Sequence, residues 1–169
     1  QELIAKVNPE NKQGSFADAV KDADVLIGCS APGVFNVEAI KTMNDKSIVF
    51  AMANPVPEIM YEEAKEKGVY IYGSGRSDMP NQVNNSSVFP GLFRGALDVR
   101  ARQINEEMKL AAAHALADLA IHSGKLDPDH VVVDVFDPQV PFAVAKAVAK
   151  AAIASGVARA TELPEKYRD

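Results

Sequence analysis

The 169-residue sequence has one cysteine, Cys29, no tryptophan and no excess of basic residues. A single cysteine excludes an internal disulfide framework and any multi-cysteine metal site. The net charge of −5 at pH 7 provides no basic field for nucleic acid phosphates or an acidic membrane surface. No apolar run reaches the roughly 20 residues that cross a bilayer, and no basic-then-apolar targeting segment stands at the start. These absences favour a cytoplasmic protein that binds neither nucleic acid nor membrane.

Groups that could carry out chemistry are also scarce. The histidines His114, His122 and His130 have no metal-ligand spacing, and the acidic pair in Asp127–Asp129 is typical of a turn. The glycine-rich turn Gly-x-Gly-x-x-Gly of dinucleotide sites is missing. Cys29 follows an apolar run, which predicts a small buried thiol. We therefore expect no catalytic residue and no metal ligand in this chain.

The chain alternates between strand and helix patterns. Short apolar runs predict buried parallel strands at Val25–Cys29, Ser47–Met52, Val69–Tyr72 and Val131–Val135. Helix patterns cover Asn36–Met43, Pro57–Lys67, Pro90–Val99, Ile104–Ala120 and Pro141–Ser155, with Gly68 and Gly156 as stops. This order predicts an α/β fold, a Rossmann-like parallel sheet with flanking helices. We expect one domain over residues 1–160 and a mobile charged tail over residues 161–169.

The beginning of the chain indicates a piece of a longer protein. It starts at Gln1 without an initiator methionine, and Gln1–Lys6 has the pattern of the middle or end of a helix. We therefore expect the Rossmann-like sheet to be incomplete, with its N-terminal βα units absent.

Two loops follow the first two predicted strands, at the sheet edge where such folds bind ligands. The small residues Ser30, Ala31 and Gly33 would let a flat ring or a ribose approach the backbone, although a plain tight turn explains them equally well. Asn54, before a proline, can project one donor and one acceptor past the second strand, or it can form an Asx turn or a helix cap. Glu58 is typical of an acid in the first turn of a helix.

The third loop is a polar run, Gly75–Asn85, that ends in two adjacent asparagines. The amides of Asn84 and Asn85 cannot act as acid, base or nucleophile, but they can bind a carboxylate or a hydroxyl. Arg76 and Asp78 are close enough in sequence to form a structural ion pair. The run therefore indicates ligand positioning and not bond breaking.

Five segments together point to one family: Ser30–Gly33, Ile48–Ile59, Gly75–Asn85, Phe89–Asp98 and Ile104–Ala112. In this order they resemble the C-terminal half of malic enzymes of the shorter prokaryotic type, and the resemblance covers nearly the whole chain. One departure is the pair Ser86-Ser87, where the family more often has bulkier apolar residues.

The resemblance implies oxidative decarboxylation of (S)-malate to pyruvate and CO2 with NAD or NADP. By position, Ser30, Ala31 and Gly33 match the loop against the cofactor. Asn54, Asn84 and Asn85 match asparagines that contact malate, and Asn54 and Asn84 also match contacts to the cofactor. The family's lysine base, its tyrosine acid, the ligands of Mg²⁺ or Mn²⁺ and the glycine-rich turn belong to the upstream part. The isolated chain is therefore predicted to be inactive, and its expected partners are the N-terminal part of the enzyme and, as a homo-oligomer, further copies.

Two alternatives stay open at this point. A malolactic enzyme shares the scaffold but converts malate to lactate, and nothing in these residues separates the two activities. A non-catalytic module that binds a nucleotide or a dicarboxylate is the other alternative, because only positioning residues are present. The choice between NAD and NADP depends on residues upstream of Gln1.

Overall fold

A computed structural model describes residues 6–168 of the chain. It divides into two compact units, Gln1–Tyr72 and Gly73–Asp169. The helical segment expected at Gln1–Lys6 lies outside the described residues, apart from Lys6. This division does not test the prediction of one domain over residues 1–160, which therefore stays a prediction.

The first unit contains short strands and helices in alternation. Its elements are α1 (Phe16–Val20), β1 (Val25–Gly28), α2 (Val37–Ile40), β2 (Ile48–Ala51), α3 (Tyr61–Glu66) and β3 (Ile71–Ser74), where the chain enters the second unit. Strands β1 and β2 are parallel, with Val25 opposite Ile48 and Gly28 opposite Ala51. The strand order is β1-β2-β3. The predicted α/β fold with a parallel sheet and flanking helices is confirmed.

Local capping sets the ends of these helices. Ser15 caps α1 in a reciprocal capping box with Asp18, and the Asn36 side chain accepts hydrogen bonds from two backbone N–H groups at the start of α2. The predicted stop Gly68 has a φ of +88°, which favours glycine, and it follows the end of α3. The helix predicted from Pro57 begins only at Tyr61, because residues 57–59 form a buried loop.

One face of β1 is exposed, which corrects two expectations. Side chains alternate along a strand, so Val25, Ile27 and Cys29 lie on one side of the chain. Val25 and Ile27 are 50% and 62% exposed, and Cys29 is exposed rather than buried. The apolar run correctly predicts the strand but not burial on both faces.

The second unit is helical, with one core. Its elements are a 3-10 turn (Asn85–Ser87), α4 (Phe89–Asp98), α5 (Glu106–His122), α6 (Gln139–Ala154) and a second 3-10 turn (Glu165–Tyr167). Three residues on one face of the last helix, Val144, Val148 and Ala152, are fully buried in this core. Gly91 permits close packing of α4 on α6, since a Cβ there would lie 2.6 Å from the Val144 Cβ. None of these helices, nor any other among residues 6–168, has the length and apolar character to cross a membrane.

The strand predicted at Val131–Val135 is wrong. This segment forms turns and irregular backbone instead. The Oδ1 atom of Asn81 accepts hydrogen bonds from the backbone N–H of Val131 at 2.8 Å and of Val132 at 3.3 Å. A side chain therefore satisfies the amides that a strand would have paired with a neighbouring strand.

Within residues 161–168, where a charged tail is expected, Tyr167 is buried; Asp169 lies outside the described residues. Tyr167 is only 2% exposed and belongs to the core of the second unit. Its hydroxyl donates a hydrogen bond to Asp98 at 2.7 Å. A buried aromatic ring thus lies within the segment expected to be a charged tail, and the mobility of that segment stays a prediction.

Candidate functional site

The loop after β1 consists of small, exposed residues. Ser30, Ala31 and Gly33 all lie at the surface, directly past the carboxyl end of the strand. Gly33 has a φ of +65°, and no atom lies within 4 Å of the position that a Cβ would take there. The loop therefore leaves open space next to its backbone, which suits the approach of a flat ring or a ribose.

The loop after β2 presents Asn54. Its side chain is exposed, and the peptide bond between Asn54 and Pro55 is cis. The residue that caps the following helix α3 is Met60, whose N–H donates to the Glu63 carboxylate at 3.2 Å. Asn54 thus does not serve as the helix cap, and its amide faces solvent at the carboxyl end of β2.

Glu58 links these two loops by hydrogen bonds. The prediction that Glu58 is an acid in the first turn of a helix is therefore wrong. It is completely buried. Its Oε1 accepts hydrogen bonds from the N–H of Ser30 at 2.8 Å and from the Ser30 hydroxyl at 3.1 Å, and its Oε2 accepts one from the N–H of Ala53 at 2.9 Å. Burial by itself raises the pKa of Glu58, but the bonds from Ala53 and Ser30 outweigh it, so the pKa lies below its ordinary value.

The polar run belongs to the second unit, where Asn84 is half-buried and partly used by the fold. Its Nδ2 donates to the carbonyl of Gly75 at 3.2 Å, and its Oδ1 accepts from the N–H of Ser86 at 2.9 Å. One N–H and one lone pair of the amide remain for a ligand. Asn85 is exposed at the first position of the 3-10 turn.

The ion pair predicted within the polar run is confirmed. The Arg76 Nε and Nη2 atoms donate to the two carboxylate oxygens of Asp78 at 2.8 and 2.6 Å. The Arg76 guanidinium lowers the pKa of the Asp78 carboxyl. A bidentate pair of this kind fixes the shape of the loop ahead of the asparagines.

Sequence reasoning missed Asn81, which anchors the same run. It is 5% exposed and has a φ of +52°. Besides its bonds to Val131 and Val132, it donates from Nδ2 to the carbonyl of Pro128 at 2.8 Å. An asparagine tolerates a positive φ better than most residues, and this preference was the one signal available in the sequence.

Two of the three histidines make local contacts. His122 Nδ1 lies 2.7 Å from the Asp118 carbonyl, and His130 Nδ1 lies 3.0 Å from the Asp127 carboxylate. Across residues 6–168, no three histidine, cysteine, aspartate or glutamate side chains come together as a metal ion would require.

The family profile described as the NAD-binding domain of malic enzyme matches residues 2–153 of the chain. The bifunctional malic/malolactic enzyme of Bacillus subtilis is 53% identical over 168 residues, which are 99% of this chain and 41% of that protein. The NAD-dependent malic enzyme of Geobacillus stearothermophilus is 51% identical over 164 residues, which are 97% of this chain and 34% of that protein.

A solved structure agrees with these matches. The crystal structure of a malic enzyme from Entamoeba histolytica has a TM-score of 0.89 and 49% identity, and the match covers 95% of this chain and 33% of that one. The chain therefore spans between about a third and two fifths of the proteins named above.

Proposed function

The chain belongs to the malic enzyme family, matching its NAD-binding domain, and on this premise we propose that it is the C-terminal part of an NAD(P)-dependent malic enzyme. The enzyme would convert (S)-malate to pyruvate and CO2 while the nicotinamide takes the hydride. The observation that carries this proposal is the pair of loops past β1 and β2, which present small residues and an exposed amide and are joined by a buried carboxylate.

In the first unit, the proposed work of the residues is to bind the cofactor. Ser30, Ala31 and Gly33 provide open backbone against which the nucleotide lies. Asn54 extends its amide past β2 toward the nicotinamide end and malate. A carboxamide suits this position because it donates to carboxylate or carbonyl oxygens and accepts from a hydroxyl.

In the second unit, we assign Asn85 to malate and Asn84 to both malate and the cofactor. The exposed Asn85 amide is the freer of the two. Asn84 has its amide direction fixed by Gly75 and Ser86, so its remaining N–H points in a defined direction. Preorganised amides orient a substrate without a cost in rotamer entropy at the moment of binding.

The proposal leaves metal and proton transfer to the rest of the longer enzyme. The metal of the family, Mg²⁺ or Mn²⁺, would polarise the ketone of the oxidised substrate. The described residues do not fit such a metal, because no cluster of three ligand side chains exists among residues 6–168. We propose that the N-terminal part supplies the metal ligands and the acid and base, and that this chain alone is inactive. A cytoplasmic location and a homo-oligomeric state stay predictions.

The test compares the intact natural protein with this chain alone. With malate, Mn²⁺ and either NAD or NADP, the intact protein is expected to form pyruvate, CO2 and the reduced cofactor in equal amounts. The isolated chain is expected to give no detectable turnover. Appreciable malate oxidation by the isolated chain would refute the division of labour, and an intact protein inactive with both cofactors would refute the proposed function.

A malolactic activity is the second candidate, because the Bacillus subtilis relative is named a bifunctional malic/malolactic enzyme. Product analysis on the intact protein separates the two, since lactate without net reduced cofactor identifies the malolactic reaction. A third candidate, a non-catalytic binding module, predicts micromolar binding of NAD or malate to the isolated chain in a calorimetric titration.

A further inference from the structure

We infer that Glu58 is a positioning residue of the cofactor site: its carboxylate holds the loop that begins at Ser30 and the loop that begins at Ala53 in one fixed arrangement. This inference rests on the proposed function for the cofactor, but its geometry stands on contacts inside the first unit. Glu58 Oε1 binds the N–H and hydroxyl of Ser30, and Oε2 binds the N–H of Ala53.

The two oxygens serve two different strands. Ser30 lies two residues past β1, and Ala53 lies two residues past β2. Asn54 follows Ala53 directly, so the same carboxylate also fixes the backbone from which the Asn54 amide extends. A bidentate acceptor spanning two strand ends sets their separation in a way that a single hydrogen bond does not.

The backbone next to Glu58 strengthens the link. The Pro57 carbonyl accepts from the N–H of Gly33 at 3.1 Å, and the Glu58 carbonyl accepts from the N–H of Phe35 at 3.2 Å. Residues 57 and 58 thus contact the beginning and the end of the loop after β1, by side chain at Ser30 and by backbone at Gly33 and Phe35.

The sequence leaves room for this carboxylate. A Cβ at Gly28, the last residue of β1, would lie 2.7 Å from the Glu58 Cδ. A glycine is therefore required where the strand passes the carboxylate. The bonds from Ser30 and Ala53 keep the pKa of Glu58 below its usual value despite full burial, so it is charged at neutral pH.

The test substitutes Glu58 in the intact natural protein. Glu58→Gln keeps the shape but replaces one acceptor oxygen with a donor, which faces an N–H and cannot bind it. Glu58→Asp keeps the charge but is one methylene shorter. Glu62→Gln, on the exposed side of α3, is the matched control. The measurements are the KM and kcat for NAD and NADP, the affinity for the reduced cofactor by fluorescence titration, and the folded fraction by circular dichroism.

We expect Glu58→Gln to raise the KM and the dissociation constant for the cofactor at least tenfold, with a smaller change in kcat. Glu58→Asp should lie between Glu58→Gln and the wild type. A purely structural role would instead lower the active fraction, and so the apparent kcat, with KM unchanged. A folded Glu58→Gln protein whose KM and dissociation constant stay within twofold of Glu62→Gln would overturn the inference.

If Glu58→Gln does not fold, hydrogen exchange of the backbone amides in the wild type tests the inference instead. The Ser30 and Ala53 amides should be protected alike and should lose protection together as acid protonates Glu58. Loss of protection at clearly different pH values for the two amides would overturn the inference.

A wild type that binds the cofactor but does not oxidise malate refutes the proposed function alone, whereas one that binds no nicotinamide nucleotide refutes both the proposed function and this inference.

Discussion

The hydroxyl of Tyr167 donates a 2.7 Å hydrogen bond to Oδ2 of Asp98, and this contact ties the end of the chain to helix α4. Asp98 also accepts from Lys166 at 2.7 Å and from Arg94 one helical turn earlier. The Asp98 side chain is only 9% exposed. A buried carboxylate with three donors is costly to leave under-satisfied, so each donor matters for stability.

The first prediction concerns this hydroxyl. Tyr167→Phe removes one hydrogen bond to a charged group while keeping the buried ring, and we expect it to lower the free energy of unfolding by about 1–2 kcal/mol. Tyr70→Phe is the matched control, because Tyr70 is 42% exposed, and it should stay within about 0.5 kcal/mol of the wild type. Urea titrations of the three proteins measure the difference. Equal stability of Tyr167→Phe and the wild type would contradict the role of the hydroxyl.

The second prediction is a pH dependence set by Asp98. Burial alone raises the pKa of Asp98, but hydrogen bonds from Lys166, Tyr167 and Arg94 lower it to about 2, against an ordinary value of 3.8. A carboxyl whose pKa is lower in the folded state stabilises the fold above its unfolded pKa and loses this contribution as the pH falls through its folded pKa. The stabilising effect is therefore complete above about pH 4 and is lost toward pH 2.

Asp98→Asn removes this dependence. The stability advantage of the wild type over Asp98→Asn should shrink by on the order of 1–2 kcal/mol between about pH 4 and pH 2. Asp118→Asn, at an exposed position of α5, is the control for the substitution itself. Chemical unfolding at several pH values gives the three curves. A pH-independent difference for Asp98→Asn would show that the pKa of Asp98 is not lowered by folding.

The third prediction concerns the contact between α4 and α6. A glycine in a helix is about 1 kcal/mol less favourable than alanine, so Gly95→Ala would stabilise an unobstructed helix. Here a Cβ would collide with the Ala145 carbonyl oxygen and would lie 3.0 Å from the Val148 Cβ. We expect Gly95→Ala to lower the free energy of unfolding by about 1–3 kcal/mol.

The sign of the change decides this test. Ala113→Gly, at an exposed position of α5, measures the helix propensity alone and should cost about 1 kcal/mol. Thermal or urea unfolding of both variants is sufficient. A more stable Gly95→Ala protein would mean that the two helices can separate without cost.

The elements predicted correctly from the sequence depend on local patterns. Strands β1 and β2 lie inside the predicted apolar runs, and Gly68 and Gly156 follow helix ends with φ values of +88° and +73°. Each of these signals involves residues within a few positions of one another. The chemistry of single residues was enough to predict them.

The parts that were missed depend on distant partners. Glu58 binds Ser30, 28 residues earlier, and Asn81 binds Val131, 50 residues later. Both side chains accept hydrogen bonds from backbone N–H groups of residues far away in the sequence. In a helix or a strand, such N–H groups would instead pair with backbone carbonyls. A local pattern cannot reveal this competition, so Glu58 was placed in a helix and residues 131–135 in a strand. The binding roles of the asparagines stay predictions, because they depend on ligands.

The fourth prediction separates the two adjacent asparagines. The Asn84 side chain donates a hydrogen bond to the Gly75 carbonyl and accepts one from the Ser86 N–H, whereas Asn85 is exposed. Asn85→Ala should therefore weaken malate binding without changing stability. Asn84→Ala should also lower the free energy of unfolding by about 1 kcal/mol, as the loss of a capping side chain does.

The assay uses the intact natural protein, with KM for malate, KM for the cofactor and the unfolding midpoint measured for each variant. Loss of one hydrogen bond to a charged carboxylate costs about 1.5–3 kcal/mol, so Asn85→Ala should raise the KM for malate about tenfold or more. Asn84→Ala should raise both KM values and lower the midpoint. Ser86→Ala, at the next exposed position, is the control for changes in the turn itself. If Asn85→Ala lowers the midpoint and leaves both KM values unchanged, Asn85 supports the turn and does not bind the substrate.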